Sequence, residues 1–243
     1  PMVPSPWLRV PLDEYRGHMD QVGQSPILRL CFREAYARAK PRRLVVLGCT
    51  DGRDFEDVDP TVTPVAVGVD VNQHYLAAAT HGRSLNATFV EGDACTLDLP
   101  ETPFDLVYAA LLLEYVDPPT LLARMASWLA PGGFVALVTQ EPRPTVPAVT
   151  PFLYRGAAQL APASRLVGSN VVAGSLREAG LSVLEQKTFY VRGDKRLVLT
   201  LAQGPSVASP PKRRSRPAKA PKAAAKSRSS KSGHARDVNQ SSA

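Results

Sequence analysis

The chain has 243 residues, 44% of them hydrophobic, which suits one large domain with a sizeable core. Its net charge of +7 is uneven, because residues 205–243 hold ten Lys or Arg and one Asp, whereas the remainder holds 19 basic and 21 acidic residues. The part of the chain before residue 205 is therefore not basic.

The cysteines and the apolar segments indicate in which cellular compartment the protein resides. Cys31, Cys49 and Cys95 form no C-x-x-C pair and are odd in number, which favours a reducing cytoplasm without disulfides or a zinc cluster. The first ten residues lack the features of a signal peptide, and no apolar stretch is long enough to span a bilayer. We therefore expect a cytoplasmic protein with no membrane partner and no bound metal.

The first 41 residues are predicted to cover the domain that follows. Residues 1–24 mix prolines with aromatic and charged side chains, which is typical of an arm folded over a domain rather than of a core element. Ser25 and Pro26 predict the N-cap and first residue of a helix that continues to Pro41.

Strands and helices then alternate along the chain. Apolar runs predict strands over residues 43–47, 65–69, 88–90, 104–108 and 134–139. Helices are predicted over residues 73–82 and 170–179, and from near Pro119 to the Pro131-Gly132-Gly133 break. Prolines shorten the helix expected after Gly52, and residues 181–191 and 195–202 predict a closing hairpin around Gly193-Asp194. The alternation predicts an α/β fold with a parallel sheet wound on both sides.

Two features of this pattern point to a bound nucleoside. Gly48 and Gly52 bracket a tight loop directly after the first strand, and Asp70 ends the second strand about 20 residues downstream. In such an arrangement the glycines let a cofactor approach the backbone, while the acid accepts hydrogen bonds from ribose hydroxyls. The alternative is that Asp70 only caps the helix that begins after Asn72.

The residues from about Arg42 to Gln203 resemble class I S-adenosylmethionine-dependent methyltransferases of the broad small-molecule type. The resemblance rests on five segments in the family's order and spacing: Val45–Gly52, Asp70, Gly92-Asp93-Ala94, Phe104–Val107 and Leu129–Gly133. It implies a Rossmann-like, doubly wound, mostly parallel seven-stranded sheet with one antiparallel strand. It also implies a methyltransferase domain over 42–204. The composition on either side predicts an arm and helix over 1–41 that cap the cofactor site, and a basic tail over 205–243 that is disordered because it cannot bury enough apolar surface.

The resemblance further implies S-adenosyl-L-methionine as the cofactor. The methionine part would lie on the glycine loop, the ribose at Asp70, and the adenine at Asp93 and Ala94, although Asp93 is also compatible with a solvated turn. The implied cofactor-binding residues are Gly48, Cys49, Thr50, Gly52, Asp70, Val71, Asp93, Ala94, Leu111 and Leu112.

Two positions depart from the family pattern. Val46 stands where the family has an acidic residue, so the amino group of the methionine part loses a neighbour. Thr50 stands where the family has a glycine, and a Cβ there narrows the loop and is expected to divert its backbone. Cys49 is interpreted as a small packed residue rather than a nucleophile.

The catalytic residue is unknown from the sequence, because methyl transfer by in-line displacement needs a base only when the nucleophile arrives protonated. The candidates are Glu114 and Tyr115, which follow the fourth strand, and His18 in the arm. Glu114 and Tyr115 are equally compatible with plain surface and core positions. Tyr15, His18 and Met19 are candidates for a lid, although a lone His in an arm is more often exposed.

The first hypothesis is therefore a methyltransferase that acts on a small-molecule acceptor. One alternative is a methyltransferase delivered to RNA or DNA by its basic tail, and another is a non-catalytic nucleic-acid-binding module with a decayed cofactor site. The tail resembles the arms of linker histones, and it would bind polyanions weakly and without sequence preference. It is equally compatible with a solubilising extension that has no partner.

Overall fold

The computed structural model describes residues 5–81, 85–151 and 155–206. The strands are β1 (Arg43–Leu47), β2 (Val65–Asp70), β3 (Thr88–Glu91), β4 (Phe104–Ala110), β5 (Leu129–Gln140), β6 (Ser182–Tyr190) and β7 (Arg196–Gln203). The helices are α1 (Leu12–Gln21), α2 (Ser25–Ala39), α3 (Gln73–Thr80), α4 (Pro118–Ser127), α5 (Arg155–Ala158) and α6 (Ser169–Glu178). Short 3₁₀ helices cover Pro6–Arg9, Arg53–Asp57 and Leu113–Tyr115.

The strands form one sheet in the order β3-β2-β1-β4-β5-β7-β6. The first five strands pair in parallel, and β7 runs antiparallel to both of its neighbours, β5 and β6. The predicted class, a mostly parallel seven-stranded sheet with one antiparallel strand contributed by the closing hairpin, is confirmed.

Both faces of the sheet are covered, because successive strand residues point to opposite sides. Val45 and Leu47 of β1 pack into a core cluster with residues of α4 and α6. Leu44 and Val46 pack into a second cluster with residues of α2, among them the fully buried Phe32. These two apolar layers explain why β1 reads as a continuous hydrophobic run in the sequence.

The parallel strands bring their carboxyl ends to one edge of the sheet. The register pairs Leu47 of β1 with Val69 of β2 and with Ala109 of β4. The loops that follow these three strands are therefore adjacent, which is where ligands bind in open α/β sheets.

Two predicted boundaries are wrong. α2 begins at Ser25, and Gln24 is its N-cap, because the Ser25 hydroxyl donates to the Asp20 carboxylate at 2.6 Å rather than capping the helix. α4 ends at Ser127 and β5 begins at Leu129, since residues 130–133 bulge out between two paired positions instead of separating the helix from the strand.

The first 24 residues are more ordered than the predicted arm. From residue 5 onward they form a 3₁₀ turn and α1, and they bury Val10, Met19 and Val22. Acidic Asp13 and Glu14 lie in the first turn of α1, where negative charge is favoured.

Some predictions fall outside the described residues. These are the first four residues of the arm, the end of the 73–82 helix and residues 207–243 of the tail. Within the ranges that are described, no helix has the length and apolar character to cross a membrane.

Candidate active site

The loop after β1 is left-handed at three positions. Gly48, Thr50 and Gly52 have φ angles of 68°, 49° and 71°, a region that only glycine adopts without steric cost. The amide groups of Gly48 and Cys49 both donate to the carbonyl of Val69, at 2.8 and 3.0 Å. The loop is therefore held against the end of β2.

Thr50 adopts the left-handed conformation itself instead of diverting the loop. Its amide donates to Oδ2 of Asp70 at 2.9 Å. A β-branched residue in this conformation carries a penalty of about 1–2 kcal/mol, which the bond to Asp70 partly offsets. The threonine side chain consequently adds bulk beside the site without changing the backbone conformation that a glycine would allow.

Asp70 joins the glycine loop to α3. Its Oδ1 accepts from the amide of Asn72 at 2.9 Å, and the Asn72 side chain caps α3 by accepting from the amide of His74 at 3.0 Å. Burial raises the pKa of Asp70, and the surrounding amides counteract this. Both carboxylate oxygens retain lone pairs for further donors, so the geometry is compatible with helix support and with ribose binding together.

The turns after β3 and β4 complete this side of the site. Asp93 is exposed and accepts from the amide of Cys95 at 2.8 Å, and Ala94 beside it is buried. Leu111 has a φ of 52°, and its amide donates to the carbonyl of Val138 at 2.8 Å. The half-buried Leu112 lies next to the α-carbon of Gly48.

Two of the predicted cofactor-binding residues belong to the loop but pack against the residues below it instead of facing the site. Cys49 is buried against Gly68, and burial raises the pKa of its thiol well above the usual value, so the thiol stays protonated. Gly52 packs against the ring of Phe89, where a Cβ would come within 2.9 Å. Val46, the other departure from the family pattern, is buried in the core under α2.

The N-terminal arm covers the same edge of the sheet. The side-chain amide of Asn72 donates to the carbonyl of Trp7 at 2.9 Å. The indole of Trp7 makes edge contacts with the rings of Tyr15 and Tyr115, with centroid distances of 5.7 and 5.0 Å. The arm is thus packed over the ends of β2 and β4.

Arg16 of α1 ties the arm to the glycine loop. Its Nε donates to Oδ2 of Asp51 at 2.7 Å, and Nε of Arg53 donates to the same oxygen at 3.0 Å. Asp51 is buried, whereas both arginines are partly exposed. Displacing the arm would therefore break an ion pair to a loop residue.

The arm and the sheet edge enclose a cavity of about 720 Å³, toward the upper end of the range for small-molecule sites. The cavity is lined by eight of the ten predicted cofactor-binding residues and by all three catalytic candidates. These are Gly48, Thr50, Asp70, Val71, Asp93, Ala94, Leu111 and Leu112, together with Glu114, Tyr115 and His18.

Glu114 is a buried carboxylate at this cavity. Its Oε1 accepts from the amide of Gln140 at 2.9 Å. Burial raises the pKa of Glu114 to about 7, while the Gln140 amide and the charge of Lys195 act in the opposite direction. Glu114 can therefore exchange a proton near neutral pH, which a surface glutamate does not do.

Lys195 and His18 are two further buried titratable groups of the lining. The Lys195 ammonium donates to the carbonyl of Ala148 at 3.0 Å, and burial lowers its pKa to about 8. His18 is buried, contrary to the expectation for a lone histidine in an arm. Burial and the Lys195 charge lower the pKa of His18, which keeps the imidazole neutral at pH 7.

Tyr115 is a hydrogen-bond donor rather than a base. Burial raises the pKa of its phenol to about 12, and the Glu114 charge adds to that increase. The phenol therefore remains protonated at physiological pH.

Several lining residues carried no sequence signal. They are Trp7, Gln24, Gln140, Leu160, Ser164 and Lys195. Lys195 in particular reads as the first residue of a strand after a hairpin turn, and nothing in the local pattern shows that the turn directs it inward. In the described ranges no group of three His, Cys, Asp or Glu side chains could hold a metal ion.

Fold and site together define a class. Residues 45–137 match the family model described as a methyltransferase domain. With the strand order and the cavity at the carboxyl edge of the sheet, this match supports the predicted resemblance to class I S-adenosylmethionine-dependent methyltransferases. The cofactor of this class is S-adenosyl-L-methionine.

The known relatives match only part of this chain. The chain is 32% identical over 163 residues to a trans-aconitate 2-methyltransferase of Methylobacterium nodulans, which covers 63% of this chain and 62% of that protein. The chain thus spans about three fifths of the relative's length.

Two solved structures share the fold. The N-methyltransferase NodS from Bradyrhizobium japonicum WM9, solved with S-adenosyl-L-homocysteine, is 18% identical with a TM-score of 0.59, covering 75% of this chain and 88% of NodS. The [4+2]-cyclase SpnF is also 18% identical, with a TM-score of 0.54, covering 68% of this chain and 76% of SpnF. Because the second protein is described as a cyclase, the fold alone does not fix the reaction.

Proposed function

We propose that the chain binds S-adenosyl-L-methionine in the 720 Å³ cavity and transfers its methyl group to a small-molecule acceptor bound beside it. The observation that carries this proposal is the breadth of the lining along the sheet edge. Asp70 ends β2, the glycine loop follows β1, Glu114 follows β4, and Lys195 precedes β7. At about 4.8 Å per strand, four strand steps separate Asp70 from Lys195, which is roughly 19 Å and leaves room for two ligands.

The residues present fit the cofactor. Gly48 offers backbone without a Cβ at the cavity wall, and the buried Asp70 carboxylate retains acceptor capacity for hydroxyl groups. Asp93 and Ala94 would lie along the adenine, and Leu111 and Leu112 beside the methionine part.

When bound, S-adenosyl-L-methionine supplies a methyl group on a sulfonium, which leaves with the C–S electron pair remaining on sulfur. The chain contributes chiefly by positioning, which accounts for about 7–11 kcal/mol of barrier reduction in favourable intramolecular cases. Trp7 and Tyr15 of the arm line the cavity and would limit the access of water to the bound ligands.

Glu114 is the base that we assign for a protonated nucleophile. It is buried, it lines the cavity, and its pKa near 7 lets it accept a proton at neutral pH. Its second oxygen, Oε2, is the atom available for this, since Oε1 accepts from the Gln140 amide. A carboxylate nucleophile would need no base.

The first acceptor to assay is trans-aconitate, which the name of the Methylobacterium nodulans relative supplies. The experiment incubates the full chain with S-adenosyl-L-methionine and trans-aconitate and measures methyl ester and S-adenosyl-L-homocysteine by mass spectrometry. We expect both products in equal amounts. Failure to form S-adenosyl-L-homocysteine with trans-aconitate and with a panel of small acids, alcohols and amines contradicts the proposal.

The two nucleic-acid hypotheses depend on a tail that lies beyond the described residues, and they stay predictions. No feature of the cavity specifically supports them.

A further inference from the structure

We propose that Lys195 binds a carboxylate of the methyl acceptor, so that the acceptor is a small organic acid. This inference rests on the proposed function and adds the substrate class and the residue that selects it.

The hairpin between β6 and β7 directs Lys195 into the cavity. Gly193 and Asp194 take left-handed φ angles of 69° and 61°, and the amide of Val191 donates to the carbonyl of Lys195 at 2.9 Å. This closes the turn and leaves the Lys195 residue only 3% exposed, with its side chain in the cavity lining.

Lys195 lies on the acceptor side of the cavity. In the strand order, β4 and β5 separate β7 from β1, so three strand steps, roughly 14 Å, lie between Lys195 and the glycine loop. That separation places the ammonium beyond the ribose and methionine positions proposed above.

Lys195 experiences the negative charge of Glu114, which raises its pKa against the effect of burial, but it makes no direct ion pair with that carboxylate. The ion pairs found among the described residues do not include it, and its hydrogen bond goes to a neutral carbonyl, that of Ala148. A buried ammonium that makes no direct ion pair is costly. An acceptor carboxylate would supply the missing partner.

The rest of the lining favours one carboxylate over a more highly charged group. Of the lining residues that the structure describes, Lys195 is the only lysine or arginine, whereas Glu114 contributes a nearby negative charge. A phosphate dianion would require more donors, as bidentate arginine sites provide. Val149 and Leu160 contribute apolar surface for the carbon skeleton.

A carboxylate that accepts hydrogen bonds from an ammonium is a weaker nucleophile. The group bound to Lys195 is therefore the anchor, and the methylated atom is a second nucleophilic group of the same acceptor, directed toward the glycine loop. Monocarboxylates without such a group are expected to bind without being methylated.

The test compares Lys195→Met, which keeps the length of the side chain, with Lys195→Arg, which keeps its charge. Lys187→Met is the matched control, because Lys187 lies on β6 and pairs with Glu34 at the surface, at 2.7 Å. Calorimetry measures binding of S-adenosyl-L-homocysteine, and then of trans-aconitate and other di- and tricarboxylates, each beside its methyl ester, to protein saturated with S-adenosyl-L-homocysteine.

We expect the wild type to bind at least one acid more tightly than its ester. Lys195→Met should weaken the binding of that acid by about 10–100-fold, as expected for the loss of a charge-assisted hydrogen bond of about 1.5–3 kcal/mol. It should leave S-adenosyl-L-homocysteine affinity within about twofold, Lys195→Arg should restore part of the acid binding, and Lys187→Met should change neither.

Three results overturn the inference while leaving the proposed function intact. In the first, S-adenosyl-L-homocysteine binds but no acid does. In the second, Lys195→Met does not alter the preference for acid over ester. In the third, Lys195→Met weakens the binding of S-adenosyl-L-homocysteine itself, which would assign Lys195 to the carboxylate of the cofactor. Absence of S-adenosyl-L-homocysteine binding by the wild type overturns the proposed function instead.

Discussion

Replacing Glu114 with glutamine should stabilise the protein above pH 7 and change its stability much less at pH 4. The Glu114 carboxyl is buried and its pKa lies near 7, compared with 4.5 in the unfolded chain. Between these two values the folded state binds a proton that the unfolded state has lost. The free energy of unfolding therefore falls as the pH rises through this window, and it stays lower above pH 7.

The size of the effect follows from the two pKa values. Each pKa unit corresponds to 1.36 kcal/mol, so the shift from 4.5 to about 7 represents about 3 kcal/mol. Glutamine removes the ionisation and still offers a carbonyl oxygen to the Gln140 amide, so the structural hydrogen bond is retained. The stability difference between variant and wild type should therefore grow by about 3 kcal/mol from pH 4 to pH 8.

The assay is urea unfolding followed by circular dichroism at pH 4, 6 and 8. Glu178→Gln is the matched control, because it makes the same substitution on the exposed side of α6. Other carboxyl groups with raised pKa values, such as Asp54 and Asp70, are common to all three proteins and cancel in the differences. A Glu114→Gln difference that changes by less than about 1 kcal/mol would show that water reaches the carboxylate and that the cavity is not enclosed.

Three further predictions address the loop, the arm and the tail. Thr50→Gly should be more stable than Thr50→Ala by about 1 kcal/mol in thermal or urea unfolding, because alanine retains the left-handed penalty that glycine avoids; equal stabilities would contradict the φ of 49°. Arg16→Ala should accelerate dissociation of S-adenosyl-L-homocysteine several-fold in stopped-flow measurements, since the ion pair to Asp51 holds the arm on the loop. The control Arg9→Ala, at an exposed position of the arm, should not change the dissociation rate. Identical dissociation rates in the two variants would show that the arm does not gate the site. Ending the chain after Ser206 preserves the hydrogen bond from the Gly132 amide to the Pro205 carbonyl. This truncation should leave small-molecule turnover intact and should abolish salt-sensitive binding of nucleic acid in filter assays. Loss of turnover would instead favour a polymer substrate delivered by the tail.

The sheet could be predicted because its central strands are buried on both faces. β1 matches its predicted range of 43–47, and β2 extends its range by one residue, to Asp70. Apolar side chains are required at every position of such a strand, so the signal is strong and local. The glycine loop and Asp70 could be predicted for the same reason, as they follow directly from the strand ends.

Features that depend on distant contacts could not be predicted. Asp20 draws the Ser25 hydroxyl away from the helix end, and the Pro131-Gly132-Gly133 break is accommodated as a bulge within β5. The burial of His18 and Lys195 depends on the arm and the hairpin closing over one cavity, which no local pattern encodes. The sequence thus indicates the cofactor side of the site far better than the acceptor side.

The claim on which all of this depends is that the glycine loop and Asp70 bind S-adenosyl-L-methionine. Calorimetric titration with S-adenosyl-L-homocysteine tests it directly on the wild type, on Asp70→Asn, and on Asp98→Asn as a control whose exposed side chain pairs with Arg124 at the surface. We predict measurable binding to the wild type and to Asp98→Asn, and about 10–100-fold weaker binding to Asp70→Asn through the loss of charge-assisted hydrogen bonds to the ribose. No heat at millimolar ligand, or an unchanged affinity for Asp70→Asn, would contradict the account.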